Sequence, residues 1–274
     1  MKYLSKSKSF FGKKLILSAL VGCTFTVEAA PILYSGTGDI SGVVADFQSA
    51  LGNPNNGNSP GPISTGRRQI NWDAGIVPFN MPGNFFNSPP PTRGAEFVTS
   101  GTGFNVSNDG LGDDKFSTIN PSYVDQFKTF SAPRLFTSAG SNVLDVNFFV
   151  PATNTPATVN GFGAIFTDVD LNGTTKLEFF DFGDNLLHSE FVDADPQGLS
   201  FLGATFASNK LARVRITSGT HAIGPDDNPL HGVDIVVMDD FLYGEPQAAV
   251  PEPSTLLLAG LGALLLRMRT NKTA

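Results

Sequence analysis

The stretch Leu211-Ala212-Arg213-Val214-Arg215-Ile216 carries the cleanest two-residue alternation in the chain. Successive side chains of an extended strand point to opposite faces. Val214 and Ile216 therefore share one face, and Arg213 and Arg215 share the other, which is the pattern of a half-buried strand. Reading outward, residues 199–207, 186–192, 175–181, 161–167 and 143–150 form further aromatic or aliphatic runs. Gly183-Asp184-Asn185 marks a turn between two of them, and Pro151 ends the earliest. Residues 233–243 make a last run on the C-terminal side. Short strands at roughly ten-residue spacing predict a mainly all-β body, a β-sandwich or jelly roll. Composition agrees: 24 Phe supply strand and core residues, while 29 Gly and 19 Pro supply turns.

The first half of the chain is less regular. Residues 36–66 are rich in Gly, Asn, Ser and Pro, and 53–62 read as a loop. Residues 39–51 predict one short helix with Val43, Val44, Phe47 and Leu51 on one face. Residues 78–91 form another proline-rich loop. No linker long enough to mark a domain boundary interrupts residues 30–245, which we read as one exported domain. The formal net charge is −7. Eight of the 18 basic residues lie at the two ends, so residues 30–249 hold ten basic against 23 acidic side chains, a net charge of −13. Such a body is a poor match for nucleic acid, whose phosphates require basic patches. It suits divalent cations. The single cysteine, Cys23, precedes the body, which therefore has no disulfide, thiol nucleophile or zinc-thiolate site of its own.

Both ends read as address labels. Lys2, Lys6, Lys8, Lys13 and Lys14 precede an apolar run over residues 15–27 and the small pair Ala29-Ala30. That is the layout of a secretory signal peptide, residues 1–29, cut by signal peptidase. A second reading takes Leu20-Val21-Gly22-Cys23 as a lipoprotein box, with Cys23 lipidated. At the other end, Val250-Pro251-Glu252-Pro253-Ser254-Thr255 leads into an uncharged apolar stretch that runs to Leu266 and stops at Arg267-Met268-Arg269. The prolines keep the backbone extended, Ser254 or Thr255 can cap a following helix over 254–266, and the arginines favour the cytoplasmic side. About a dozen residues at 1.5 Å each span about 18 Å, short of a hydrocarbon core of about 30 Å. Such a segment suits a transient membrane anchor.

These tail residues, Val250, Pro251, Glu252, Pro253 and Ser254 with Arg267 and Arg269, resemble the PEP-CTERM sorting signal. The resemblance covers residues 246–274. It implies processing by exosortase, a membrane transpeptidase-like enzyme, in bacteria that make exopolysaccharide and biofilm. Glu252 and its flanking prolines would then be recognition residues for that enzyme. The body resembles a set of exported bacterial proteins through residues 66–73, 161–170 and 236–241, a resemblance that brings no activity with it.

Candidate chemistry in the body is sparse. Asp168-Val169-Asp170-Leu171-Asn172-Gly173 fits the first half of a calcium loop, in which alternate oxygens converge on one ion. Phe179 stands where the loop's bidentate Glu would be, and the same residues also suit a β-turn without an ion. If the last strand is regular, one of Asp239 and Asp240 faces inward, where a salt bridge, a bulge or calcium must satisfy it. Trp72 with Asn71 and Asp73 forms either a sugar-stacking platform or part of the core. His188, His221 and His231 fall in no zinc-protease motif, and no Gly-x-Ser-x-Gly elbow is present. The sequence thus predicts an exported, exosortase-sorted, non-catalytic cell-surface or extracellular-matrix protein. A carbohydrate-binding module supported by calcium is the first alternative, and an exported glycan hydrolase the second.

Overall fold

A computed structural model describes residues 29–87, 91–108 and 112–249. The expected leader helix and the expected tail helix over 254–266 lie outside the described residues, apart from Ala29. Among the described residues no helix is long and apolar enough to cross a membrane. The body is mainly β. In chain order its elements are β1 Ile32–Thr37, α1 Ser41–Leu51, β2 Arg67–Ile70, β3 Asn80–Met81, β4 Ala95–Thr99, β5 Gly103–Val106, α2 Tyr123–Gln126, β6 Phe136–Ala139, β7 Val143–Phe148 and β8 Ala157–Thr158. Then follow β9 Gly161–Val169, β10 Lys176–Phe180, β11 Leu186–Phe191, β12 Asp195–Thr205, β13 Arg213–Thr217, β14 Val237–Gly244 and β15 Gln247–Ala248.

The alternating stretch sits in the middle of a five-stranded antiparallel sheet of order β11-β10-β13-β7-β4. Register explains why its pattern is clean. Val214 pairs with Phe179 on one side and Val146 on the other, and Ile216 pairs with Leu177 and Leu144. All six side chains are buried, so one face is an apolar ladder. On the other face Arg215 pairs in register with Glu178 and Asp145. Its Nε and Nη2 each donate to an Asp145 oxygen at 2.8 Å. One face on a core and one in water is the normal state of an antiparallel sheet.

The second sheet runs β1-β12-β9-β14-β6-β5-β3, with β2 added to β14. Its central strand β9 is buried at every residue because both faces are covered. Phe162, Ala164 and Phe166 face the main core, whereas Ile165 joins a second cluster with Val44, Phe47 and Leu51 of α1. The helix therefore lies where the heptad-like spacing of 44, 47 and 51 places it, although Val43 is only partly buried. Gly163 and Gly203 face each other across β9 and β12. A Cβ on Gly163 would come 2.7 Å from the Phe47 ring, and one on Gly203 would come 2.8 Å from it. Phe47 thus rests on a floor that only glycine provides.

Rings join the two sheets. Phe97 of β4 lies 5.4 Å from Phe136 of β6 and 6.0 Å from Phe241 of β14, and Phe148 of β7 lies 5.3 Å from Tyr243. Each fully buried ring contributes about 1.5–3 kcal/mol by transfer from water, and favourable ring pairs add about 0.5–1.5. A third cluster, Phe116, Tyr123, Phe127 and Leu135 against Ile235 and Val237, covers the other end of the same sheet. Where the chain leaves the body, a buried ion pair closes the structure. Arg68 Nε and Nη2 donate to Glu245 at 2.7 and 2.6 Å, and Arg68 Nη1 donates to the carbonyls of Gly57 and Thr92, both at 2.8 Å.

Candidate functional site

The end of β9 gathers the first candidate residues. Asp168 adopts φ +65°, a backbone region that Asp tolerates better than most residues, and it is 1% exposed. Opposite it, β12 bulges between Asp195 and Leu199. That bulge aims the Gln197 N–H at Asp168 Oδ1, 2.7 Å away. Asp168 Oδ2 is buried and has no hydrogen-bond partner. Asp170 follows in the turn, half-buried. The stretch 219–235 then supplies two more carboxylates. Asp234 accepts the N–H groups of Asp170 and Leu171, both at 3.3 Å, and the Thr174 hydroxyl at 2.7 Å, so it fixes the turn. Asp227 accepts the Ile235 N–H at 3.1 Å, while its Oδ2 is buried without a partner.

Asp168, Asp170 and Asp227 each offer a carboxylate oxygen, and these oxygens lie within 4.8 Å of one another. Burial pushes all three carboxyls up to about 6, and the neighbouring carboxylates push in the same direction. Tyr123, whose hydroxyl donates to the Gly224 carbonyl at 2.5 Å, is also raised, first by burial and then by Asp227 and Asp168.

This arrangement corrects the linear calcium-loop reading. Asn172 is exposed and outside the cluster, and Phe179 is core. The third carboxylate is Asp227, 57 positions after Asp170 in the sequence. Its signal lies in the acid-rich turn Gly224-Pro225-Asp226-Asp227-Asn228-Pro229, which spacing alone does not connect to Asp168.

Asp239 and Asp240 are a separate pair. A register shift between Met238 and Phe241 breaks the regularity of β14, so both carboxylates are buried instead of one. Donors satisfy them. Asp239 Oδ2 accepts the N–H groups of Phe130 and Ser131 at 2.6 and 3.3 Å, and Asp240 Oδ2 accepts Gln69 Nε2 at 2.6 Å. The Ser131 hydroxyl stands 3.1 Å from Asp239 Oδ1 and 2.6 Å from Asp240 Oδ1. Burial and the adjacent Asp240 raise the Asp239 carboxyl strongly. This pair is a bulge tie and is not part of the three-carboxylate cluster.

Trp72 is not a sugar platform. It is 1% exposed, stacks on Phe136 at 4.0 Å and 3°, and donates from Nε1 to the Asp239 carbonyl at 2.6 Å. Its positive φ of 65° turns the ring inward and leaves Asn71 exposed. Asp73 is engaged by the Arg134 N–H at 3.0 Å. The hollow beside Trp72 measures about 40 Å³, too small for a sugar ring. A larger cleft of about 230 Å³ lies instead against β7 and the 181–184 turn, lined by Asn147, Asp181, Phe182, Asp184 and Arg213. Phe182 is 60% exposed there. Arg213 reaches Asp145 at 3.1 Å and also Asp184, and lies over the Phe180 ring at 3.9 Å.

His221 is 2.8 Å from the Thr220 hydroxyl and His231 is 3.0 Å from Asn228, whereas His188 Nε2 lies 3.4 Å from Glu190 Oε2 without a hydrogen-bond partner.

Comparison with known proteins gives one match. Residues 249–271 match the family described as the PEP-CTERM protein-sorting motif. No curated protein and no solved structure matches the chain. The motif implies export and processing by exosortase at a membrane.

Proposed function

We propose that this chain is a non-catalytic surface or extracellular-matrix protein, cut from its leader by signal peptidase, held briefly by its tail helix, and released or retained by exosortase among exopolysaccharide. The position of the motif carries the reading. It begins at Ala249, whose N–H bonds the Pro156 carbonyl at 3.1 Å, immediately after β15 pairs with β8. The sorting segment therefore starts where β15, the last strand among the described residues, stops. The non-catalytic part is supported by the local partners of His221 and His231. The burial of Asp168, Asp239 and Asp240 adds to it, because a glycan hydrolase would have to expose paired carboxylates to a sugar.

The test is mass spectrometry of the protein's termini from cells with and without exosortase, and from cells making Pro251→Ala/Glu252→Ala. We expect a wild-type product lacking both the leader and the tail, and a variant that keeps its tail and stays with the membrane. An exported wild-type product with residues 250–274 intact would overturn the reading.

The cleft beside Phe182 supports a second reading, carbohydrate binding. An exposed ring with Asn147, Asp181 and Asp184 nearby offers a stacking surface and hydroxyl partners. A glycan array with wild-type and Phe182→Ala protein tests it, and absence of binding to any glycan would remove it.

A further inference from the structure

We propose that Asp168, Asp170 and Asp227 form a binding site for a calcium ion that ties residues 219–235 to the end of β9. Three observations carry this. First, a buried carboxylate oxygen needs a donor, a proton or a cation. Asp168 is 1% exposed, its Oδ1 is engaged by Gln197, and its Oδ2 has no partner. Second, Asp227, whose buried Oδ2 also lacks a donor, belongs to the same cluster and lies within hydrogen-bond reach of Asp168, so the two carboxyls can share a proton but have neither donor nor counter-charge when both are ionised. Third, the spacing of the three carboxylates matches the reach of one ion. Their oxygens lie within 4.8 Å of one another, and two oxygens on opposite sides of a calcium ion at 2.3–2.6 Å each are about 4.6–5.2 Å apart.

The donor set selects the class of ion. Carboxylate oxygens without imidazole or thiolate suit magnesium, calcium and manganese over zinc and copper. Calcium is favoured within that class. It accepts irregular shells of six to eight oxygens, so backbone carbonyls and water can complete what three carboxylates begin. Magnesium demands near-ideal octahedral geometry at about 2.0–2.1 Å.

The other buried acidic pair serves as an internal comparison. Asp239 and Asp240 receive hydrogen bonds from Phe130, Ser131 and Gln69, so nothing there lacks a partner. Of these two acidic groups, the one at the end of β9 leaves buried carboxylate oxygens bare. Asp234 holds the turn through the N–H groups of Asp170 and Leu171 and the Thr174 hydroxyl, and it is not one of the three clustered carboxylates. The inference is independent of the sorting reading.

The experiment uses full-length protein in detergent, stripped with chelator and titrated with calcium chloride by calorimetry and by thermal unfolding. Extracellular calcium modules bind at about 10⁻⁴–10⁻³ M. At the weak end of that range, 10 mM calcium favours the folded state about elevenfold, which raises the midpoint by about 3–6 °C for a body of this size. Asp168→Asn, Asp170→Asn and Asp227→Asn should each keep the chelated fold, since they remove mutual repulsion, and each should lose at least tenfold in calcium affinity. If Asp168→Asn does not fold, the half-buried Asp170 and Asp227 variants decide the matter. A wild-type protein with no calcium heat and an unchanged midpoint overturns the proposal, as does an undiminished response in Asp170→Asn and Asp227→Asn. A magnesium response equal to that of calcium overturns the choice of ion.

Discussion

Replacing Arg68 by Met should cost the body about 3–5 kcal/mol, the usual penalty for removing one partner of a buried ion pair. The structure shows why the full penalty applies. The two side chains are 0% and 2% exposed, and the guanidinium makes four hydrogen bonds of 2.6–2.8 Å. Arg68→Met leaves the Glu245 carboxylate with only the Asn56 amide, at 2.8 Å, and it removes the Nη1 donor from the Gly57 and Thr92 carbonyls. At about 2–4 °C per kcal/mol for a domain of this size, the thermal midpoint should fall by about 6–20 °C. Urea unfolding of the full-length protein should show a lower midpoint at unchanged slope.

The double variant Arg68→Met/Glu245→Leu separates charge from packing. It removes the stranded carboxylate but still leaves two carbonyls without their donor, so it should recover at least about 2 kcal/mol of the loss without reaching wild type. Additive single variants, or an Arg68→Met loss below about 1 kcal/mol, would show that the pair is solvated in solution and that this reasoning is wrong. The stakes concern delivery. Glu245 is the last buried charged residue before the sorting motif, and its N–H also bonds the Gly66 carbonyl at 3.0 Å. Tension applied to the tail would meet the two-residue pairing of β15 with β8 first and this ion pair next.

Trp72→Ala should cost about 3–5 kcal/mol in the same urea assay, the range for deleting a large buried ring, and should leave any glycan binding of the folded protein unchanged. Gly163→Ala or Gly203→Ala should each cost about 1–3 kcal/mol by overpacking against Phe47, and adding Phe47→Leu should return part of that loss. The pH dependence follows from carboxyls whose folded values are raised from 3.8 to about 6. The native state then holds more protons than the unfolded chain between those values, so this contribution is present below the ordinary carboxylate range and is lost as pH climbs through about 6. In chelator, the stability of wild type relative to Asp168→Asn should fall between pH 5 and pH 7. A difference that stays flat, or rises, would count against this electrostatic account.

The parts of the fold legible in the sequence are those where one physical pattern dominates. Residues 213–216 alternate because β13 has a core on one face and water on the other, and Val44, Phe47 and Leu51 repeat because α1 buries one stripe. Strands of the first half show such a pattern over four residues at most or not at all. β1 is an edge strand with Ile32 63% exposed, while β5 and β6 read Gly-Phe-Asn-Val and Phe-Thr-Ser-Ala. They are strands because neighbours in the sheet pair with them, and a local reading contains no such neighbours. Trp72 was ambiguous for a related reason: a platform and a core ring use the same residue, and only the stacked Phe136 separates them. Asp168 and Asp170 stood out because their spacing is local, whereas Asp227 reaches them through tertiary structure.

The two acidic clusters show what the sequence withholds about chemistry. Both consist of aspartates close to strand ends or bulges, and by composition alone they have equal claim to a cation. What distinguishes them is the supply of donors. At Asp239 and Asp240 the segment 130–131 and Gln69 bring N–H and O–H groups to the carboxylates. At Asp168 and Asp227 the bulge of β12 brings one N–H to Asp168, Ile235 brings one to Asp227, and the remaining buried oxygens have no partner. Protonation can relieve that only where the pH is low enough, since these carboxyls titrate near 6. Above that, a cation is the species that satisfies all three carboxylates at once. A body without cysteine gains from such a tie what disulfides give other exported domains: a loop held to a sheet by a link absent from the unfolded chain.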